Sequence, residues 1–182
     1  MEIMQPQFEC LGFEPQASTN IKQADNILEV DFLEWMSSQQ PTVNNQYDIV
    51  TALDFLEHIP EIENYFTEIN RVLKDEGIFY CTLPDVSSWA ARLFQSKWNC
   101  FLLEHLWYFS PKTFNHFIER FGFTLVSAKP FPYSTTLGII LKRIRQTYQI
   151  PLPENIPSWI SSLRFSLPIG LMFCVCKKTN TP

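Results

Sequence analysis

Two short apolar runs on either side of one amphipathic segment leave this chain few folds to choose from. Tyr47–Leu53 (YDIVTAL) reads as a strand buried on both faces, continuous in apolar residues as parallel strands are. Ile62, Phe66, Ile69, Val72 and Leu73 then recur at helical spacing, which predicts a helix over roughly Glu61–Lys74 with Pro60 at its start. Gly77 stands where a stop to that helix is expected, and Ile78–Leu83 (IFYCTL) is the next strand, ended by Pro84. Strand, helix and strand in this order give a parallel pair with the helix packed on it, the unit of an α/β sheet.

The alternation continues in both directions. Phe8–Phe13 and Ile27–Val30 are short strand candidates, and Gln39–Gln46 reads as a loop. Ser110-Pro111 should open another helix, with serine as N-cap, proline at the first helical position and Phe114, Phe117, Ile118 and Phe121 on the apolar face. A strand begins at Thr124–Ser127, and Gly170–Cys176 is expected to be the last one. Pro130–Pro168, between them, is long for a connection in one domain and reads as an insertion or lid. The whole of 1–182 is taken as a single domain.

Composition narrows the function classes. With 46% hydrophobic and 15% aromatic residues the chain has material for a packed core, which argues against disorder. The formal net charge of −5 is a poor start for gripping a nucleic-acid backbone, so no nucleic acid is expected as partner. The five cysteines, Cys10, Cys81, Cys100, Cys174 and Cys176, form no C-x-x-C, which fits reduced thiols in a cytoplasmic protein. Cys174 and Cys176 share one face of a strand and read as small buried hydrophobes. The first ten residues show no signal-peptide pattern, and Leu167–Cys176 is too short for a membrane span of about 20 residues. The three histidines show no recognisable metal-ligand spacing, so no metal is expected.

The segment YDIVTALDFLEHIPEIENYFTEINRVLKDEGIFYCTLPD resembles the central block of the class I S-adenosylmethionine-dependent methyltransferases. The residues that carry the likeness are Asp48 in the strand, Leu56-Glu57-His58 after it, Arg71-Val72-Leu73-Lys74 at the helix end, and Gly77. Glu76-Gly77 stands where that family commonly has Gly-Gly. A second block, Trp98 followed by EHLWYFSPKTFNHFIERFGF, is similar to the family's later histidine, aromatic, Phe-Ser, helix, Gly-Phe sequence. The resemblance implies a Rossmann-like methyltransferase sheet with its last strand antiparallel, S-adenosylmethionine as cofactor and a small-molecule acceptor.

It also assigns roles. Glu14, at the end of the first strand, would accept the ribose hydroxyls, or is an acid in a surface turn. Asp31 would accept from the adenine amino group with Phe32 packed on the ring, or would cap a short helix at Phe32–Met36; the two roles are compatible. Ala52, Leu53 and Asp54 would line the methionine part. His58 and His105 are the candidate general bases, since imidazole can accept a proton near neutral pH. Their alternatives are a structural histidine bonding a backbone carbonyl, for His58, and core packing around His105. Glu57 would orient His58 or cap the helix start, and His116 is expected at the surface.

One part of the family pattern is missing. The chain has 5 glycines and no G-x-G, and only a handful of residues precede Phe8–Phe13. A cofactor loop needs glycine so that backbone can approach the ligand. The sheet is therefore expected to be incomplete at its first strand, as in a truncated or impaired form, with weak or no cofactor binding. Exposed strand edges would allow self-association, and the alternative function is a non-catalytic interaction module. A nicotinamide-dependent oxidoreductase would need G-x-G-x-x-G and ranks last. Between 137 and 165, apolar residues alternate with Lys142, Arg143, Arg145 and Arg164, a pattern for a lid helix or for peripheral membrane contact, which co-sedimentation with anionic vesicles would separate.

Overall fold

The expected parallel pair is β3 (Tyr47–Ala52) and β4 (Leu73–Pro84), joined through α2 (Ile62–Val72). The computed structural model describes residues 9–13, 27–28, 30–38, 44–149, 151 and 156–179. Ahead of the pair lie β1 (Gly12–Phe13), β2 (Ile27–Leu28) and α1 (Phe32–Ser38). After it come α3 (Trp89–Phe94), α4 (Pro111–Glu119), β5 (Phe123–Thr136), α5 (Leu137–Tyr148), α6 (Ser158–Ser161) and β6 (Arg164–Lys178). Four strands form one sheet in the order β3-β4-β6-β5, and β1 and β2 form a separate parallel pair. The last strand, β6, runs antiparallel to both of its neighbours, as the resemblance implied.

The core lies where α2 and α4 meet the sheet. Ile62, Phe66 and Ile69 of α2 and Phe114 and Ile118 of α4 are buried against Phe79, Leu83 and Cys174. Phe66 is its centre, with the rings of Phe79, Phe114, Phe117 and Phe123 at centroid distances of 5.5 to 6.1 Å. Truncating such a side chain to alanine costs about 3–5 kcal/mol. Cys81, Cys174 and Cys176 are fully buried free thiols, and burial pushes the Cys81 thiol well above its ordinary range. The Ser110 cap forms as expected: its hydroxyl accepts from Thr113 N at 3.2 Å, and Thr113 returns a bond to Ser110 N at 2.9 Å.

The end of α2 differs from the expectation. The helix stops at Val72, and Leu73 already has extended dihedrals as the first residue of β4. Gly77 is therefore no helix stop. The ladder pairs Tyr47 with Leu73 and then Ile49 with Ile78, so residues 74–77 bulge out against the single residue Asp48. A Cβ on Gly77 would come within 2.7 Å of the Lys74 carbonyl, so the bulge itself demands glycine. Glu76 takes φ 66° there, in the left-handed region where the family's other glycine would sit without strain. Helical periodicity continues by chance through Leu73, which is why the pattern overran the helix. The Lys178 ammonium holds this corner, donating to the carbonyls of Asn70 at 2.9 Å and Leu73 at 2.7 Å, where a helix C-terminus favours a cation.

The described residues of 130–168 lie mainly in strand and helix. β5 and β6 pair from Phe123–Lys178 out to Thr136–Arg164, and α5 and α6 lie between their far ends. At this end Ile139, Trp159, Leu163 and Phe165 are exposed. No helix among the described residues is long and apolar enough to cross a membrane. At the opposite side of the sheet, β3 has β4 as its only strand neighbour among the described residues, and Ile49 and Leu53 are 50% and 54% exposed. Glu14 lies outside the described residues.

Gly170 fixes how β6 meets the segment after α3. It takes φ 116°, and a Cβ there would fall 2.5 Å from Trp98 Nε1, which donates to the Ile169 carbonyl at 2.9 Å. Gly170→Ala should lower the unfolding free energy by about 1–3 kcal/mol, read as a urea midpoint shift at constant m-value. An unchanged midpoint would contradict this packing.

Candidate functional site

The candidates Ala52, Leu53, Asp54, His58 and His105 gather past the C-terminal ends of β3 and β4, the edge where open α/β sheets bind ligands. β3 ends at Ala52, and Leu53 and Asp54 continue over the edge into a 3₁₀ turn, Leu56–His58. Asp54 takes φ 49° and is held there by Thr82 of the neighbouring strand. The Thr82 hydroxyl accepts from Asp54 N at 2.7 Å and donates to Asp54 Oδ1 at 3.2 Å. Thr82 is buried, so this bond sets the direction in which the chain leaves the sheet.

The segment 104–107, far along the chain, is laid over that turn by three bonds. Leu106 N donates to the Glu57 carbonyl at 2.7 Å, Trp107 Nε1 to the Ile59 carbonyl at 2.7 Å, and His58 Nδ1 to the Glu104 carbonyl at 3.2 Å. The two candidate bases consequently meet, with the His58 and His105 rings edge to face at 4.7 Å between centroids. His105 Nδ1 lies 2.8 Å from the Cys100 carbonyl. A carbonyl can only accept, so each Nδ1 carries a proton, and in the neutral form of each ring the lone pair lies on Nε2. The alternative weighed for His58, a bond to a nearby carbonyl, is thus present and also fixes its tautomer. His116 stands apart on α4, its side chain exposed.

Glu57 is the member of this cluster whose importance the sequence reading missed. It is 2% exposed, and its Oε2 has no hydrogen-bond partner among the described residues. Burial pushes its carboxyl above the ordinary carboxylate range, and Asp54 adds to this, while a backbone hydrogen bond and the two histidines pull it down. Glu57, His58 and His105 each offer one ligand atom, and these atoms all lie within 4.8 Å of one another. Cys100 beside them is a buried thiol pushed up to about 12 by burial and by Glu57, so it stays protonated at neutral pH.

On the other flank, Asp31 caps α1: its Oδ1 accepts from Leu33 N at 2.8 Å and Glu34 N at 3.3 Å. Its Oδ2 accepts from the hydroxyl of Tyr65, a buried residue inside the expected helix that the sequence reading did not single out. That bond and burial raise the Tyr65 phenol well above its ordinary range. A carboxylate has about four acceptor positions, so one remains on Asp31. Phe32 packs on Phe13 and Tyr65 at 5.4 and 5.9 Å, and Tyr65 packs on Phe55 at 5.4 Å. Tyr65 thereby brings Asp31 and Phe32 beside the Ala52–Phe55 exit. An apolar ring face, a carboxylate with spare capacity and an exposed strand exit at Leu53 and Asp54 suit the adenine and methionine ends of the expected donor.

Comparison with known proteins identifies the fold and the family. The chain resembles the ubiquinone biosynthesis O-methyltransferase of Salmonella paratyphi A, 27% identical over 75 residues. That stretch is 40% of this chain and 31% of the enzyme, so the match spans about a third of the relative's length. A SAM-dependent methyltransferase from Archaeoglobus fulgidus shares the fold with TM-score 0.58 and 16% identity, over 97% of this chain and 80% of that one. A methyltransferase of Haloferax volcanii, solved in complex with the Trm112 methyltransferase activator, superposes with TM-score 0.51 and 14% identity over 88% of this chain and 65% of that one. The family description "Methyltransferase domain" matches residues 1–128, more than half of the chain. The chain belongs to this family of methyltransferase domains, whose methyl donor is S-adenosylmethionine.

Proposed function

We propose that the chain transfers a methyl group from S-adenosylmethionine to a hydroxyl oxygen of a small, largely apolar molecule. The observation that carries the reading is the His58–His105 pair, fixed beside the exit of β3 with a lone pair on each Nε2. When bound, the donor supplies a sulfonium methyl, which an oxygen lone pair attacks while the C–S bond electrons pass to sulfur. Ala52, Leu53 and Asp54 would hold the methionine end, and Asp31 and Phe32 the adenine. Glu14 would hold the ribose. With no G-x-G in the sequence, this grip is expected to be weak.

The imidazoles act on the acceptor. A hydroxyl placed against a free Nε2 gives up its proton as the oxygen attacks, and the resulting imidazolium keeps both nitrogens as donors. Glu57, buried beside the pair, stabilises that charge. Alignment of oxygen, methyl and sulfur is the larger part of the task. The acceptor's apolar character is argued from its surroundings: Phe101, Leu102, Leu103 and Leu106, in the segment that carries His105, are all exposed, as is Leu53 at the exit of β3. The relative in ubiquinone biosynthesis, an O-methyltransferase by name, supports oxygen as the atom methylated.

Mass spectrometry of a catechol panel incubated with the chain and the donor tests this. His105→Ala and His58→Ala should each lower kcat by about 10²–10⁴, with binding of S-adenosylhomocysteine unchanged. Product from the parent chain with undiminished kcat in both variants would overturn the roles given to the histidines.

Glu57 gives a second test, through stability. Its pKa is raised on folding, so just above the ordinary carboxylate value the folded state binds more proton than the unfolded state, and stability falls as pH rises through that range until the folded carboxyl has also ionised. Asp54, His58, His105 and Cys100 are the ionisable groups around it. Glu57→Gln should therefore raise the melting temperature at pH 8, and the gain should shrink toward zero near pH 4. A variant less stable than the parent at pH 8 would show that the carboxylate is there for the fold and not for chemistry.

A further inference from the structure

We propose that Glu57, His58 and His105 form a binding site for a first-row divalent cation. Three features of the cluster point to this beyond the mere presence of ligand-type residues.

The donor atoms converge. One atom from each of the three side chains lies within 4.8 Å of the others. Ligands at about 2.0–2.2 Å from a zinc ion stand roughly 3–4 Å apart, so small side-chain rotations close the set. Two segments 47 positions apart in sequence, His58 and His105, are brought to this distance by the bonds from Leu106 and Trp107.

The histidines are prepared as ligands. In metal sites an imidazole that ligates through one nitrogen usually donates from the other to a carbonyl or carboxylate. Here His58 Nδ1 meets the Glu104 carbonyl and His105 Nδ1 the Cys100 carbonyl, which leaves each Nε2 as the atom free to ligate. Two imidazoles in edge contact, each anchored through Nδ1, suit a shared cation.

The carboxylate lacks a partner. Glu57 is 98% removed from solvent by its 2% exposure, and its Oε2 is the only buried side-chain oxygen or nitrogen without a hydrogen-bond partner among the described residues. Buried charges in proteins are paired or coordinate metals, because an unpaired one is costly. No basic side chain is paired with Glu57 among the salt bridges of the described residues. A cation beside the two imidazoles supplies the missing charge.

The donor set decides the class of ion. Two imidazole nitrogens and one carboxylate oxygen suit Zn²⁺, Co²⁺ or Mn²⁺ better than Ca²⁺ or Mg²⁺, which prefer all-oxygen surroundings. Three protein ligands leave coordination positions open, as in catalytic and not structural sites. The use of those positions rests on the methyl-transfer reading: an acceptor hydroxyl bound there would be held and made more acidic, so coordination would do what proton acceptance by imidazole does in a cation-free site. The proton goes to solvent, and the oxygen keeps the electron pair that attacks the methyl carbon.

The test needs neither donor nor acceptor. The 182-residue chain, stripped with chelator, is titrated with Co²⁺ and followed by its visible ligand-field absorption and by calorimetry. One equivalent should bind saturably, and Zn²⁺ should displace it. Glu57→Gln and His105→Ala should each weaken binding by at least about tenfold, while His116→Ala, at the exposed histidine, should leave it unchanged. Glu57→Gln is expected to be no less stable than the parent, and circular dichroism checks both variants. A folded parent that binds no Co²⁺, or variants that bind as the parent does, would overturn the site. Binding of S-adenosylhomocysteine is measured separately, so failure of the cation site and failure of the methyl-transfer reading are distinguishable.

Discussion

The backbone bond from Leu106 N to the Glu57 carbonyl, with its neighbours at Trp107 and His58, is the contact on which the functional edge depends. Without it the 3₁₀ turn after β3 and the aromatic segment before α4 would be two unrelated loops. With it, both present imidazoles to the same place and close over Glu57. Each of the three bonds contributes only about 1 kcal/mol net, yet they decide tautomer, ring orientation and carboxylate burial together. The core beneath supports them. Trp107 and Phe109 stack on each other, and Phe117 of α4 packs against both, so the segment cannot lift without disturbing the helix.

What was legible in the sequence was the part encoded by local pattern. β3, α2 and the Ser110 cap follow from an apolar run, a 3.6-residue period and a Ser-Pro pair, and each formed within a few residues of its expected bounds. The exception at Gly77 is instructive. Period alone could not show that the chain reverses its dihedrals at Leu73, because Leu73 is buried equally well as a helix or a strand residue. The length of β5 and β6 was hidden for a related reason: Pro130, Pro132 and Pro168 read as breakers, but in long hairpin arms proline can stand at bulges and edges.

The site was legible by residue and not by arrangement. His58 and His105 were named, but spacing could not bring them together, since their meeting depends on bonds between distant segments. Glu57 looked like a helper of the adjacent histidine. Its burial is a property of the covering segment, and no local pattern announces that. Asp31 offered a cap and an adenine contact at once; its cap is formed, and the Tyr65 hydroxyl that takes its other oxygen comes from a helix 34 residues away.

The donor side of the site is the more demanding part of the account, because among the described residues β3 pairs only with β4, and the sequence has no G-x-G turn to cradle the donor. Asp54, pinned by Thr82 in a left-handed conformation, is the polar group we propose to hold the donor's methionine end. Calorimetric titration of the chain with S-adenosylhomocysteine addresses this directly. The account predicts weak, saturable binding that Asp54→Ala abolishes. A folded chain that gives no binding heat, or binding that the substitution leaves intact, would contradict it.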